Sequence, residues 1–300
     1  MGKTLKINTV CECNDLLGKT TLNPLVSVID LSKTDVTGCD TLKANFYTVL
    51  LKEYKCGHSA FGRMDCDYSD GTVLFLTPGE TFKVEEKQTE KPPSKGWLLA
   101  FHPDLMRNGY MEKQIQQYSF FSYYKNEALH ISIREKKIFL QHLENINEEL
   151  HRSIDRHSRT LVAKSIELLL DYCKRFYERQ FICRCLENER LVSDVDRIID
   201  DYFKTNNVET FGLPSLDYCS KQLDLSSSYL GDLLQHETGS TFEEYLRCRR
   251  IEIAKNWLLK TNKTPSQVSF ELGFSSSKYF NSIFKHMTGY LPEEYKPSNN

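Results

Sequence analysis

The stretch 213–300 repeats itself, and that repeat constrains the fold more than any other feature of the chain. Leu223-Asp224-Leu225-Ser226-Ser227-Ser228 recurs as Leu272-Gly273-Phe274-Ser275-Ser276-Ser277, an offset of 49. Tyr229-Leu230 then recurs as Tyr279-Phe280, Thr238-Gly239 as Thr288-Gly289, and Glu243-Glu244-Tyr245 as Glu293-Glu294-Tyr295, now at an offset of 50. One residue is therefore inserted in the second copy, read here as lying between the serine run and its tyrosine. A period of this size means one supersecondary unit used twice.

Each copy has the grammar of a helix-turn-helix. In the first, residues 216–222 form a short helix, Leu223-Asp224-Leu225 turns the chain, and Ser226 caps the second helix, its hydroxyl accepting from a free amide of the first turn. Leu230, Leu233 and Leu234 give that helix an apolar face, and Gly239 ends it in the left-handed conformation. In the second copy Thr264 caps, Pro265 takes the first helical position, and Gly273 makes the turn. Ser275 is the expected cap of the next helix, Tyr279, Phe280, Ile283 and Phe284 are expected to pack, and Gly289 terminates. Ser220 and Ser269 fall at matching places, where crossing helices leave room only for a small side chain. Between the copies, residues 242–259 form a linker helix opened by a Thr241/Glu244 capping box. Its 18 residues span ~27 Å, near the ~34 Å between successive major grooves on one face of DNA.

Charge separates the two copies. Residues 245–300 hold nine Lys/Arg against four acids, a net +5, whereas 213–244 hold one against six, a net −5. The second copy and the linker therefore carry the attraction for phosphate, although the whole chain has a formal charge of only −2. Without that asymmetry, two similar helical hairpins would read as an interaction domain.

Upstream the pattern differs. At 300 residues the chain suits roughly two domains of ~100–200 each, and a hydrophobic fraction of 40% supports packed cores. Short apolar runs at 26–29, 46–51, 73–76 and 97–100 lie between turn signals such as Pro78-Gly79 and the loop 91–96, predicting an antiparallel β barrel or sandwich. After Phe121 the period becomes helical. Ile138, Leu143, Ile146 and Leu150 mark one helix, and Val162, Ile166, Leu169, Cys173 and Phe176 form a heptad stripe on the next. Leu161, Leu168 and Tyr172 add a second stripe, expected to meet a second subunit. Residues 183–189 read as a polar boundary, followed by a helix over 190–204 and a loop 205–207. No run approaches the ~18 apolar residues of a membrane span, and residues 1–15 lack a secretory pattern, so a soluble cytoplasmic chain with reduced thiols at its ten cysteines is expected.

Enzyme patterns fail on their spacing. Gly18-Lys19-Thr20 lacks the preceding glycine of a phosphate loop, because position 13 is Cys13. Ser275-x-x-Lys278 lies inside the repeat and has no Ser-Asp-Asn partner. His58 and His102 stand alone, and Cys11/Cys13 and Cys183/Cys185 lack zinc-ligand spacing. No catalytic residue, metal or cofactor is expected.

The stretch 213–296 resembles the double helix-turn-helix domain of AraC-type transcriptional regulators, through Leu272-Gly273-Phe274 and the run from Phe284-Lys285 to Thr288-Gly289. The N-terminal part is similar, more loosely, to the cupin-like sensor half of such regulators, at 71–79 and 97–103, and 127–130 and 175–181 fit an AraC-type subgroup. The resemblance implies a multidomain α+β chain: a cupin-like antiparallel barrel with dimerisation helices at 1–183, a linker and leading helix at 184–212, and an all-α reader at 213–300. It also implies promoter DNA, RNA polymerase, a small-molecule effector of unknown identity and a second copy of the chain as partners. The DNA-binding candidates are Ser227, Ser228 and Gln235 in the first copy and Ser276, Ser277, Lys278, Asn281, Ser282 and Lys285 in the second, with Arg247, Arg249 and Arg250 on the linker helix as phosphate contacts. The sequence departs from the family at Gly231, which cannot contact a base edge, at Asp232, which repels phosphate unless it accepts from cytosine N4, and at Lys296, where the family has arginine. A protein-interaction adaptor with a degenerate reader is the alternative.

Overall fold

Strands form where the sequence places short β-branched and aromatic runs. A computed structural model describes residues 4–34, 41–53, 71–83, 95–107, 111–205 and 207–295. His58, Lys296 and most of the loop 91–96 lie outside them. The chain divides into two units, 1–183 and 184–300.

The first unit holds β1 (Thr4–Ile7), α1 (Val10–Leu16), β2 (Val26–Asp30), β3 (Thr41–Ala44), β4 (Tyr47–Glu53), β5 (Thr72–Leu76), β6 (Thr81–Lys83), β7 (Lys95–Phe101), α2 (Met111–Gln114), β8 (Leu129–His130), α3 (Ile133–His151) and α4 (Ser158–Cys183). Five strands pair antiparallel in the order β2-β7-β4-β5-β8, and β1-β3-β6 form a separate sheet in which β1 and β3 run parallel. Register puts Leu50, Leu74 and Leu98 on one face, where they pack with Leu31 and Ala128. Ile29 and Ala100, on the same face, meet Ile7, Val10 and Phe46. The opposite face carries Phe75, whose ring lies 4.4 Å from Phe120 and 6.2 Å from Tyr177.

The expected closed barrel is not formed among the described residues. Both sheets are open, and β8 shows why. The edge it presents is taken by side chains of α4: the His130 amide donates to Gln180 Oε1 at 2.8 Å, Arg179 Nη2 donates to the His130 carbonyl at 2.6 Å, and Gln180 Nε2 donates to the Ala128 carbonyl at 3.2 Å. Polar edge groups paired in this way need no further strand.

On α4, Val162, Ile166, Leu169, Cys173 and Phe176 are all buried, while Leu161 and Leu168 are each 48% exposed. On α3 it is Phe139, rather than Ile138, that joins Leu143, Ile146 and Leu150 in the core. No helix among the described residues is long and apolar enough to cross a membrane.

The second unit is helical: α5 (Cys185–Lys204), α6 (Asn207–Phe211), α7 (Leu216–Gln222), α8 (Ser227–Thr238), α9 (Phe242–Lys260), α10 (Pro265–Glu271), α11 (Ser277–Thr288) and α12 (Pro292–Tyr295). The division between the two units falls within the polar stretch 183–189, at a single turn residue, Arg184, between α4 and α5. Arg184 and Asn188 are buried there, held by Tyr229 and Glu237 of α8, so their polarity marks contacts within the unit rather than a solvated linker.

Candidate nucleic-acid interface

Each recognition-type helix is set by its own cap. Ser226 accepts from the Tyr229 amide at 3.1 Å and Gly239 ends α8 at φ +70°. In the second copy the cap is Ser276, which accepts from the Tyr279 amide at 3.2 Å, and not Ser275. The inserted residue therefore precedes the cap. Asp224 (φ +52°) and Gly273 (φ +71°) still correspond at an offset of 49, whereas Ser226 and Ser276 correspond at 50, which leaves Ser275 as the extra residue in a longer turn. Ser220 and Ser269 are both buried at the helix crossings.

On α11, Lys278, Asn281, Ser282 and Lys285 fall at i, i+3, i+4 and i+7, one face of the helix. Lys278, Ser282 and Lys285 are exposed and Asn281 is half-buried. The Asn281 Oδ1 atom is buried without a hydrogen-bond partner, so a two-bond grip on adenine requires this side chain to turn outward. Ser277 is exposed, and Ser276 is exposed but spends its hydroxyl on the cap.

The matching face of α8 is Ser228, Gly231, Asp232 and Gln235, of which Gln235 is exposed and the others half-buried. Ser227 is already engaged: its hydroxyl lies 3.0 Å from Ser220 Oγ and 3.5 Å from Asp217 Oδ1. The two copies also treat their equivalent tyrosines differently. Tyr229 is 1% exposed and its hydroxyl accepts from Arg184 Nη1 at 3.3 Å, whereas Tyr279 is 47% exposed and does not pack as the sequence suggests.

The three linker arginines separate. Arg247 is exposed. Arg249 donates through Nε and Nη2 to the two Asp200 oxygens at 2.9 and 2.7 Å, and its Nη1 lies 3.4 Å from Asp196. Burial opposes its charge, but these carboxylates outweigh that and raise its pKa. Tyr245 donates to Asp196 at 2.7 Å, and burial followed by that carboxylate pushes its phenol up. Arg250 is buried; its Nε donates to the Leu272 carbonyl at 2.9 Å and its guanidinium stands 3.8 Å over the Phe274 ring. Desolvation lowers its pKa to about 10. Arg249 and Arg250 are thus occupied inside the unit, because carboxylates and an aromatic turn pack against α9 where the sequence alone showed three equivalent cations. Nothing in the sequence pointed to Asp196 or Asp200 as counterparts of Arg249, or to Arg184 as the partner of Tyr229.

Among the described residues no group of three or more His, Cys, Asp or Glu side chains is arranged to hold a metal ion.

Two capped helical hairpins joined by one long helix define a tandem helix-turn-helix unit. Residues 219–298 match the helix-turn-helix domain family. Among similar proteins, the transcriptional regulatory protein YesN of Bacillus subtilis is 32% identical over 114 residues, which cover 37% of this chain and 29% of YesN. An HTH-type transcriptional regulator of Staphylococcus aureus strain MSSA476 is 27% identical over 247 residues, covering 75% of this chain and 31% of the relative. The chain therefore spans less than a third of the length of these curated relatives. A solved C-terminal domain of the two-component response regulator yesN from Fusobacterium nucleatum is 29% identical, covering 34% of this chain and 93% of that domain with a TM-score of 0.28.

Proposed function

We propose that the chain is a DNA-binding transcriptional regulator of AraC type, in which α11 reads bases and α8 contributes little to recognition. The observation that carries this reading is the exposed Lys278, Ser282 and Lys285 face of α11, with Asn281 beside it, on a capped helix of a matched helix-turn-helix segment. Two lysines supply phosphate attraction, and Asn and Ser supply base-edge hydrogen bonds. Of the linker arginines only Arg247 stays with the phosphate set. In the first copy Ser228 and Gln235 keep a part, while Ser227 is occupied and Gly231 and Asp232 offer nothing to phosphate.

The N-terminal unit is read as a cupin-like sensor for a small molecule or partner. Ligand binding there shifts DNA affinity by a coupling of ~1–3 kcal/mol. The half-exposed Leu161 and Leu168 stripe favours a homodimer. RNA polymerase as a second partner, a cytoplasmic location and a non-enzymatic role follow from the same family reading. The competing assignment, an adaptor that binds protein rather than DNA, draws on the acidic first copy.

A mobility-shift titration of the full chain on its own upstream DNA tests the reading. Lys278→Ala and Asn281→Ala are each expected to weaken specific binding by ~5–150-fold, the equivalent of ~1–3 kcal/mol. Unchanged binding in both removes α11 from recognition and leaves the adaptor.

A further inference from the structure

We infer that Arg250 is a positioning residue that sets the pitch of α11 against the linker helix α9; this rests on the base-reading role proposed for α11.

Arg250 is 7% exposed, so its charge does not face solvent or a phosphate. Its Nε hydrogen bond goes to Leu272, the residue that closes α10, and its flat guanidinium covers Phe274, two residues further on. The whole turn between α10 and α11 is thereby tied to α9. From Phe274 the contact continues into the recognition helix: its ring centroid lies 5.0 Å from that of Phe280, Phe280 lies 5.5 Å from Phe284, and Phe284 lies 5.4 Å from Tyr295 of α12. Rotation of the guanidinium plane would carry the ring and the start of α11 with it.

The opposite side of the turn is closed as well. A Cβ on Gly273 would stand 2.8 Å from Val208 Cγ1 and 2.9 Å from Leu213 Cδ2, so Val208 of α6 and Leu213, two residues beyond that helix, press directly on the backbone that Arg250 holds. The turn has no room to shift away.

A guanidinium kept this dry with no carboxylate at its Nη2, which is buried without a partner, is costly to keep charged. An aliphatic side chain would fill the space without that cost. What it would lack is a planar group that stacks on the ring and donates along a fixed direction to the Leu272 carbonyl. The first copy is built differently. Its turn residue Asp224 is exposed, and α8 is instead held at Tyr229 by Arg184.

The test uses the full chain, comparing specific and non-specific DNA across a salt series. Arg250→Met is expected to lower specific affinity about tenfold, as one misread base pair does, and to leave non-specific affinity and the salt slope as in the parent. Arg250→Lys, which restores the charge but not the plane, is expected to stay near the Met variant. Arg247→Ala, at an exposed cation, should do the reverse, reducing the slope by about one with discrimination preserved. If Arg250→Met unfolds, Phe274→Leu removes the stacked ring alone and is expected to show the same lost discrimination at constant slope. A slope reduced by about one in Arg250→Met would make it a phosphate contact and overturn the inference, as would full discrimination in a folded Arg250→Met or Phe274→Leu chain. Failure of the base-reading role would look different, because Lys278→Ala and Asn281→Ala would then match the parent on specific DNA.

Discussion

At the residue scale, the two turn positions with positive φ call for opposite substitutions. Gly273 combines φ +71° with side-chain atoms at 2.8 and 2.9 Å from where a Cβ would stand. Gly273→Ala therefore adds left-handed strain to overpacking, and a loss of about 2–4 kcal/mol is expected in denaturant unfolding of the full chain. Asp224 holds φ +52° in the other copy and is exposed. Asp224→Gly should leave stability unchanged or raise it by about 1 kcal/mol at most, since relief of backbone strain is offset by the entropy of glycine. Equal destabilisation by the two changes would contradict the difference in their surroundings.

Elements are held by their first turns. Ser226→Ala and Ser276→Ala each remove the acceptor of an orphan amide and are expected to cost about 1 kcal/mol. Ser275→Ala should stay within about 0.5 kcal/mol, because Ser275 is exposed and the cap lies one residue later. Thermal unfolding of the three variants locates the inserted residue: a cost at Ser275 with none at Ser276 would return the cap to Ser275. The α5–α9 contact offers a second test at this scale. Asp200→Asn removes one carboxylate from a pair about one-quarter to one-third exposed, and a loss of about 1–2 kcal/mol is expected, less than for a fully buried pair.

For the whole molecule, α5 belongs to the helix-turn-helix unit rather than to a linker. It buries Leu191, Val195, Ile199, Tyr202 and Phe203, and it supplies Asp196 and Asp200 to Tyr245 and Arg249. Each such apolar side chain contributes ~1.5–3 kcal/mol on burial. A fragment of residues 184–300 is therefore expected to melt in one cooperative transition by circular dichroism, and a fragment beginning at 213 to show none. A cooperative transition in the shorter fragment would make α5 dispensable.

Most of the helical architecture was legible residue by residue. The Ser226 cap, the glycine stops, the Thr241/Glu244 box and the apolar stripe of α8 act over one or two turns, so they can be read along the chain without knowing what packs on it, whereas the second cap fell at Ser276 rather than Ser275 and Tyr279 stayed outside the α11 core. The strands at 26–29, 46–51, 73–76 and 97–100 were legible for the same reason, whereas the open edge of the sheet among the described residues was not, because Arg179 and Gln180 take the edge of β8 from about fifty residues away. Arg247, Arg249 and Arg250 are chemically alike and almost adjacent, and no local rule separates them. Folding did so by bringing Asp200 to one, the Leu272 carbonyl and Phe274 ring to another, and leaving the third in water. The free energy of a buried charge depends on its partners in space, and those partners lie too far along the chain for any spacing to reveal them.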